Sequence, residues 1–362
     1  MQRISIASLL TLLLLLHTPS RAQSLESLLA DPAFAPASVG IEVDDSRFAG
    51  PAVSPKWMLE DVIWDYGTGC HAFSYRDNRL QIELKYNGHR YEVTGINPAH
   101  RFRVATHLVP GEREEVTVTH TGNHYTVTGT IPRHRSSYRL DLAIERPDSL
   151  FLQELNERLQ LAGIPVGGAP LSAGRGTETP LLDYPSDSLA FLVRSLNVRS
   201  DNLYAESLLR LIALTASPRG SASKGIETIR RYWQPLGADS LELFLYDGSG
   251  LARNNKVSAR YLARVLTAAA RDPQTGDTFV RSLPRAGREG SVATFMRNSR
   301  LPGELRLKSG SMSDVHAYAG YYTTPTGHRY AIVLLFNNYT CTRDQLKQKI
   351  AAWLTTTLSK KR

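Results

Sequence analysis

The period of the hydrophobic pattern changes near Pro185, and this change constrains the fold more than any other feature of the sequence. From Asp44 to about Leu182, apolar residues alternate with polar ones, which is typical of half-buried strands. Beyond Pro185 the apolar residues recur at helical spacing. A chain of 362 residues is long enough for two domains. We therefore predict a β-rich region followed by a mainly helical one.

Two hairpins are predicted in the β-rich region. Residues 80–86 alternate strictly between apolar and polar, Asn87-Gly88 supplies a turn, and the alternation resumes at Tyr91. Asn-Gly between alternating runs is the strongest short signal of a hairpin. The second hairpin is centred on Thr121-Gly122-Asn123, and a helix over Ser149–Leu161 closes the region.

The second region is predicted to hold an antiparallel sheet with helices on its faces. The predicted helices are Ser188–Ser195, Ser200–Ala216, Ser223–Leu236, Val257–Arg271 and Thr342–Leu358. The predicted strands are Leu305–Lys308, Ala317–Thr324 and Arg329–Asn338. Consecutive strands with short links favour antiparallel pairing, and helices on both sides of them in sequence favour packing on the sheet.

Residues 4–16 are an apolar run of 13 residues, which as a helix would be roughly 20 Å long and too short for a hydrocarbon layer of about 30 Å. Arg3 before the run and Ser20-Arg21-Ala22 after it indicate a signal peptide over residues 1–22. The alternative is an uncleaved membrane anchor. We expect an exported chain with no integral membrane segment after cleavage.

Charge and cysteine usage exclude several classes of protein. The net charge of +9 is scattered along the chain, whereas nucleic-acid binders cluster their basic residues. Cys70 and Cys341 are too few for a disulfide framework, and two buried thiols are favoured over one disulfide. His120 and His124 lack a third ligand nearby, so we interpret them as surface residues and predict neither a metal nor a cofactor.

Two short motifs carry possible chemistry. Ser200 opens a predicted helix as a competent N-cap, and Asn202 follows two residues later. This Ser-x-Asn motif is either the start of a helix or a proton relay beside an amide that binds substrate. Lys308-Ser309-Gly310 lies at the end of a predicted strand. It either ends an edge strand or presents an ammonium and a hydroxyl to a carboxylate, with Gly310 leaving room for an extended peptide.

In this order and in these elements, the motifs resemble those of the penicillin-binding D-alanyl-D-alanine carboxypeptidase/endopeptidases of peptidase family S13. The resemblance covers nearly all of Asp44–Leu358. Its most specific strings are Val198–Glu206, Tyr246–Ser258, Pro284–Val292 and Lys308–Thr324, and the aromatic-rich Trp57–Gly69 also matches.

The resemblance implies an α/β fold, with a β-lactamase/transpeptidase-like domain (an antiparallel sheet flanked by helices) and a β-rich inserted domain. The implied division is a signal peptide over 1–22, an N-terminal remnant of the transpeptidase-like domain over 23–43, the insertion over 44–182, and the transpeptidase-like domain over 183–362. The implied localisation is the periplasm.

The resemblance also implies roles in serine acyl transfer. Ser200 would be the proton shuttle, and Asn202 would orient the substrate. Lys308 would supply positive potential, Ser309 would bind the terminal carboxylate, and the backbone N–H of Ser311 would be half of an oxyanion hole. The implied partners are peptidoglycan stem peptides that end in D-Ala-D-Ala, without a cofactor.

The family's nucleophile motif, Ser-x-x-Lys, is not found where the resemblance places it. Among nine lysines, Lys224 alone has a serine three residues earlier, and Ser221–Lys224 is interpreted as the start of a helix. Ile41 stands where Ser38 would need its lysine. Ala37–Gly40 instead resembles the family's first core strand and Ile41–Phe48 a point well inside the insertion, which implies that the segment with the motif is missing between Gly40 and Ile41. We therefore expect impaired catalysis, and β-lactam binding only if another nucleophile exists. The alternatives are a non-catalytic binder of peptidoglycan or a partner protein, and a non-functional deletion product.

Overall fold

The computed structural model describes residues 41–99, 101–164, 166–167 and 185–361. The chain divides into two compact units between Ser186 and Asp187. The predicted signal peptide, most of the predicted remnant over 23–43 and Ser38 lie outside the described residues. Within the ranges given above, no helix has both the length and the apolar character that a membrane crossing requires.

The described part of the first unit contains two three-stranded sheets and a long helix. The elements are β1 (Arg79–Tyr86), β2 (Tyr91–Asn97), β3 (Arg103–Gly111), β4 (Glu115–Thr121), β5 (His124–Pro132), β6 (Ser137–Ala143) and α1 (Pro147–Leu161). One sheet has the order β2-β1-β6 and is antiparallel throughout. The other has the order β3-β5-β4, in which β3 and β5 run parallel.

Both predicted hairpins are confirmed. β1 pairs with β2 across the turn that contains Gly88, and β4 pairs with β5 across the turn that contains Gly122. Both glycines have positive φ, the backbone conformation that these tight turns require. The alternating Leu80, Ile82 and Leu84 of β1 are fully buried in the core of this unit. The strands β3 and β6 were not predicted.

The second unit is built around one three-stranded antiparallel sheet. Its helices are α2 (Leu189–Arg199), α3 (Asn202–Leu214), α4 (Ala222–Trp233), α5 (Ala259–Arg271), α6 (Gly276–Ser282) and α7 (Arg343–Leu358). Its strands are β7 (Leu243–Phe244), β8 (Lys256–Val257), β9 (Glu304–Met312), β10 (Val315–Thr323) and β11 (Arg329–Asn337). The sheet has the order β11-β10-β9, which leaves β9 at its edge, and β7 pairs with β8 separately.

Helices cover both faces of this sheet, as predicted. On α7 every fourth residue from Leu346 to Leu358 is buried, and this row packs against Leu307 and Tyr318. On the opposite face Tyr321 packs with Leu266 of α5, and its hydroxyl donates a hydrogen bond to the Leu266 carbonyl at 2.6 Å. Each buried leucine contributes about 2 kcal/mol through the hydrophobic effect, so the two helix layers hold the sheet and its edge in place.

Two smaller predictions are also settled. Ser221 caps α4 by accepting a hydrogen bond from the Lys224 backbone N–H at 3.2 Å, while the Lys224 ammonium pairs with Glu227 at 2.9 Å. Ser221–Lys224 is therefore the start of a helix, as predicted. Both cysteines are free thiols, Cys70 buried in the first unit and Cys341 half-buried in the second, which is the alternative that the sequence favours.

Candidate active site

Lys308 lies in the middle of β9, the edge strand of the second unit, opposite Ala319 of β10. Its half-buried ammonium donates two hydrogen bonds of 2.7 Å, one to the Ser200 hydroxyl and one to the backbone carbonyl of Ser309. Ser200 and Lys308 are 108 residues apart in the sequence. The fold therefore brings the two predicted motifs into direct contact.

The outer edge of β9 is hydrogen-bonded to the segment Pro284–Ala286 before Lys308. Before it, Leu307 N donates to the Pro284 carbonyl at 3.0 Å, and Ala286 N donates to the Leu305 carbonyl at 2.9 Å. Backbone groups point to alternate sides along a strand, so the N–H groups two and four residues after Leu307 also face outward. These are the N–H groups of Ser309 and Ser311, as an oxyanion or peptide site at this edge requires.

Ser200 does not cap the helix that follows it, so the helix-start alternative for this residue is wrong. Asp201 is the N-cap of α3, and its carboxylate accepts a hydrogen bond from Tyr204 N at 3.1 Å. Ser200 instead ends α2 in a left-handed conformation, with φ of 59° and ψ of 50°, and its backbone N–H donates to the Leu196 carbonyl. Because Asp201 supplies the cap, the Ser200 hydroxyl is available to Lys308. Asn202 is the first residue of α3 and is half-buried.

Burial lowers the pKa of the Lys308 ammonium from its usual 10.5 to about 8. Desolvation penalises the charged form of a lysine, and a hydroxyl and a carbonyl do not replace the lost water as a carboxylate would. About a tenth of the Lys308 side chains are therefore neutral at pH 7, which is far more than for an exposed lysine. Lys308 can thus act both as a positive charge and as a base.

Ser309 has a partner that sequence reasoning missed as a site residue. The hydroxyls of Ser309 and Ser291 share a hydrogen bond of 2.7 Å. Ser291 lies in a short 3-10 turn, Gly290–Val292, whose last residue is buried in the core. The one available signal was the string Pro284–Val292, which stood out through the resemblance but held no recognised chemical motif.

Packing inside the chain does not require a glycine at position 310. A Cβ atom built there would have Ala317 Cβ as its nearest neighbour at 3.9 Å, an ordinary contact. By contrast, a Cβ on Gly320 of the neighbouring strand would come within 2.0 Å of the Arg306 carbonyl oxygen. The exposed surface at Gly310 is therefore open to a ligand, which agrees with the predicted room for a peptide.

Ser311 is paired with a buried histidine that the sequence did not single out. The two residues are opposite each other on β9 and β10, and the Ser311 hydroxyl lies 2.7 Å from His316 Nδ1. His316 is 2% exposed and packs edge-on against Tyr318. Burial and the positive charges of Lys347 and Arg343 lower the pKa of His316 below 6.5. At neutral pH its imidazole is therefore uncharged, and it fixes the Ser311 side chain.

A buried ion pair ties the site helix to a loop behind it. On α3, Glu206 and Arg210 are 1% and 3% exposed and form a salt bridge of 3.0 Å. The second carboxylate oxygen of Glu206 accepts hydrogen bonds from Gly248 N and Ser249 N at 2.8 and 2.9 Å. This loop belongs to the string Tyr246–Ser258 that stood out in the sequence. The pair thus anchors α3, the helix that begins at Asn202, two residues after Ser200.

No grouping of three or more histidine, cysteine or acidic side chains suited to a metal ion occurs in the described parts of the chain. His120, one of the two histidines considered in the sequence, stacks on Tyr125, and its Nε2 lies 3.4 Å from Glu145. The chemistry available at the edge of β9 is that of hydroxyls, an ammonium of lowered pKa and backbone N–H groups.

An antiparallel sheet between helices, with a serine hydroxyl bonded to a half-buried lysine at its edge, is the arrangement expected of a serine acyl-transfer protein with a transpeptidase-like domain. The family model of the D-Ala-D-Ala carboxypeptidase 3 (S13) family matches residues 24–357. The chain belongs to this family, a family of serine peptidases, and the predicted membership is confirmed.

Individual relatives agree with this assignment. The DacB D-alanyl-D-alanine carboxypeptidase of Haemophilus influenzae is 25% identical over 321 residues, which cover 85% of this chain and 67% of that protein. A D-alanyl-D-alanine carboxypeptidase of Actinomadura sp. strain R39 is 31% identical over 195 residues. That match covers 51% of this chain and only 36% of the Actinomadura protein.

A solved structure shows the same fold. The crystal structure of penicillin binding protein 4 (dacB) from Haemophilus influenzae superposes with a TM-score of 0.77 at 22% identity. The superposition covers 94% of this chain and 79% of that one. The predicted α/β fold class is thereby confirmed.

Proposed function

We propose that this chain is an exported, periplasmic protein of peptidoglycan metabolism, of the serine-type D-alanyl-D-alanine carboxypeptidase/endopeptidase kind, with an impaired acylation step. The observation that carries the proposal is the 2.7 Å contact between the Lys308 ammonium and the Ser200 hydroxyl at the edge of β9. Family membership and the names of the relatives supply the substrate class.

The edge of β9 suits an extended peptide with a free carboxylate. Past Lys308, the outward N–H groups of Ser309 and Ser311 are arranged to pair with a peptide backbone, as in β-strand addition. The Ser309 hydroxyl and the positive potential of Lys308 favour a terminal carboxylate, since charge-assisted hydrogen bonds are roughly twice as strong as neutral ones. Gly310 leaves space for the side chain of a D-alanine.

The sequence supports the impaired acylation step that we propose. Ser221–Lys224 starts a helix, and its lysine bonds to Glu227 rather than to a serine hydroxyl. Removing both a nucleophile and its base typically slows such enzymes by several orders of magnitude, while substrate binding persists. This feature also supports the second candidate function, a non-catalytic binder of wall peptides. The predicted deletion product would lack a cooperative thermal unfolding transition, which tests that alternative directly.

Covalent β-lactam binding is a separate proposal. One solved structure of the Haemophilus protein is described as complexed with a β-lactam. For this chain we propose that a β-lactam forms a covalent adduct only if a serine at the β9 edge is nucleophilic.

Calorimetric titration with N-acetyl-L-Lys-D-Ala-D-Ala tests the proposed substrate. We expect saturable binding that is absent for the same peptide ending in L-Ala-L-Ala. Lys308→Ala should weaken binding by about 10- to 100-fold, because a hydrogen bond to a charged group contributes about 1.5–3 kcal/mol. Lys224→Ala is the matched control, since this lysine pairs with Glu227 on α4, and it should bind as the wild type does. Equal affinity of the Lys308→Ala variant would contradict the proposed site.

A further inference from the structure

Ser200 has the local structure of a presented nucleophile. It is exposed, and it occupies a left-handed backbone conformation that non-glycine residues rarely adopt and that costs of order 1–3 kcal/mol. The structure around it holds this conformation on both sides, since its N–H closes α2 and Asp201 opens α3. Its hydroxyl therefore has a fixed position at the junction of two helices.

Lys308 is oriented to accept a proton from that hydroxyl. A backbone carbonyl can only accept hydrogen bonds, so one N–H of Lys308 stays on the Ser309 carbonyl in either protonation state. In the neutral amine the lone pair can then face Ser200, 2.7 Å away. Burial has already lowered the pKa of this amine to about 8, so the neutral form is populated near neutral pH.

We propose that Ser200 is a nucleophile in this chain, with Lys308 as its general base, and that this pair forms an acyl-enzyme. The identity of the acyl donor, a peptide ending in D-Ala-D-Ala, rests on the proposed function. The reactivity of the pair itself does not. Serine–lysine pairs are known to act in this way on unrelated folds.

The proposed step is balanced without a cofactor. Ser200 Oγ forms a bond to the carbonyl carbon of the last peptide bond while its proton moves to Lys308 Nζ. The carbon–nitrogen bond then breaks, and the departing D-alanine amine takes that proton. Water hydrolyses the Ser200 ester, with Lys308 first accepting a proton from the water and then returning it to Ser200 Oγ. The outward N–H of Ser311 is placed at the same edge to donate to the transient oxyanion.

The test uses the full chain and two probes. An alkyl fluorophosphonate reports any activated serine regardless of substrate, and a fluorescent penicillin reports acylation by a cyclic amide. Trypsin cleaves after Arg199 and Arg210, so the peptide of residues 200–210 carries Ser200 at its N-terminus. Tandem mass spectrometry separates Ser200 from Ser207, the second serine of that peptide, which is buried. We expect both probes on Ser200.

Three variants sharpen the assignment. Ser200→Gly keeps the left-handed backbone without strain, so the fold is preserved, and it should reduce labelling by more than tenfold. Lys308→Arg keeps the charge but removes the base, because a guanidinium does not lose its proton, and it should have a similar effect. Ser221→Ala is the control outside the site, and its labelling should stay within twofold of the wild type.

The outcomes separate this inference from the proposed substrate. Peptide binding without a covalent adduct, or an adduct on another serine, overturns the role of Ser200 and leaves the proposed function standing. Fluorophosphonate labelling of Ser200 without peptide binding supports the nucleophile and overturns the proposed substrate. Labelling that persists in Ser200→Gly also overturns the inference. Because the wild-type digest locates the adduct, a poorly folded variant does not decide the result.

Discussion

Replacing Lys308 with methionine should change how the stability of the protein depends on pH. A lysine with a lowered pKa in the folded state binds fewer protons there than in the unfolded chain, so its charge opposes folding. The full cost applies below the folded pKa of about 8 and disappears as the pH rises toward the unfolded value of 10.5. Methionine has a similar shape and no charge, so it removes this dependence.

The size of the effect follows from the two pKa values. With values of about 8 and 10.5, linkage gives a cost of about 3.4 kcal/mol at pH 7 and about 0.8 kcal/mol at pH 10. Relative to Lys308→Met, the wild type should therefore gain about 2.5 kcal/mol of stability between these two pH values. The hydrogen bonds to Ser200 and to the Ser309 carbonyl contribute nearly equally at both pH values and largely cancel in this difference.

Urea denaturation of both proteins at pH 7 and pH 10 measures this difference. The transition of the second unit is followed by the fluorescence of Trp233 and Trp353, in a background in which Trp57 and Trp64 of the first unit are replaced by phenylalanine. Other groups that titrate in this range, including the tyrosines, are common to both proteins and cancel. Lys224→Met is the control, because its exposed pair with Glu227 is screened by solvent and should contribute little to stability at either pH. If the wild type and Lys308→Met differ by the same amount at both pH values, the burial of the Lys308 ammonium described above is wrong.

Three further predictions concern the surroundings of the site. The wild type should lose stability as the pH falls below 6.5, because the buried His316 imidazole resists protonation, and His316→Asn should remove this loss. Urea midpoints that shift by the same amount in both proteins between pH 7 and pH 5 would refute this prediction. Gly310→Ala should leave the thermal midpoint unchanged and weaken peptide binding, whereas Gly320→Ala should lower the midpoint by several degrees. A larger loss of thermal midpoint for Gly310→Ala than for Gly320→Ala in calorimetry would contradict the open edge at Gly310. Arg210→Met should destabilise the protein by about 3–5 kcal/mol in urea denaturation, because it leaves the Glu206 carboxylate buried without its partner; a loss below about 1 kcal/mol would show that water reaches the pair.

The helix boundaries around the site show where local sequence is sufficient and where it is not. The spacing of apolar residues located α3, α4, α5 and α7 to within a few residues, since one face of each is buried. It did not distinguish Ser200 from Asp201 as the cap of α3, because serine and aspartate have nearly equal preference for that position. In the structure Asp201 is the cap and the Ser200 hydroxyl bonds to Lys308, a residue 108 positions away that local sequence does not reveal.

Pairings between distant segments account for the other differences between the predicted and the observed structure. The two hairpins were predictable because their turns are local, but the parallel pairing of β3 with β5 depends on contacts that no local pattern encodes. The same reason explains why Ser291 and His316 were missed. Their roles depend on the register of β9 against its neighbours, which places Ser291 on Ser309 and His316 on Ser311.

The central claim is that the edge of β9 at Lys308 binds the end of a wall peptide. A crystal structure of the full chain with bound N-acetyl-L-Lys-D-Ala-D-Ala tests it most directly. The account predicts the terminal carboxylate within hydrogen-bond distance of Ser309 Oγ and the last peptide bond beside Ser200 Oγ. A peptide bound elsewhere on the protein, with this edge unoccupied, would contradict it.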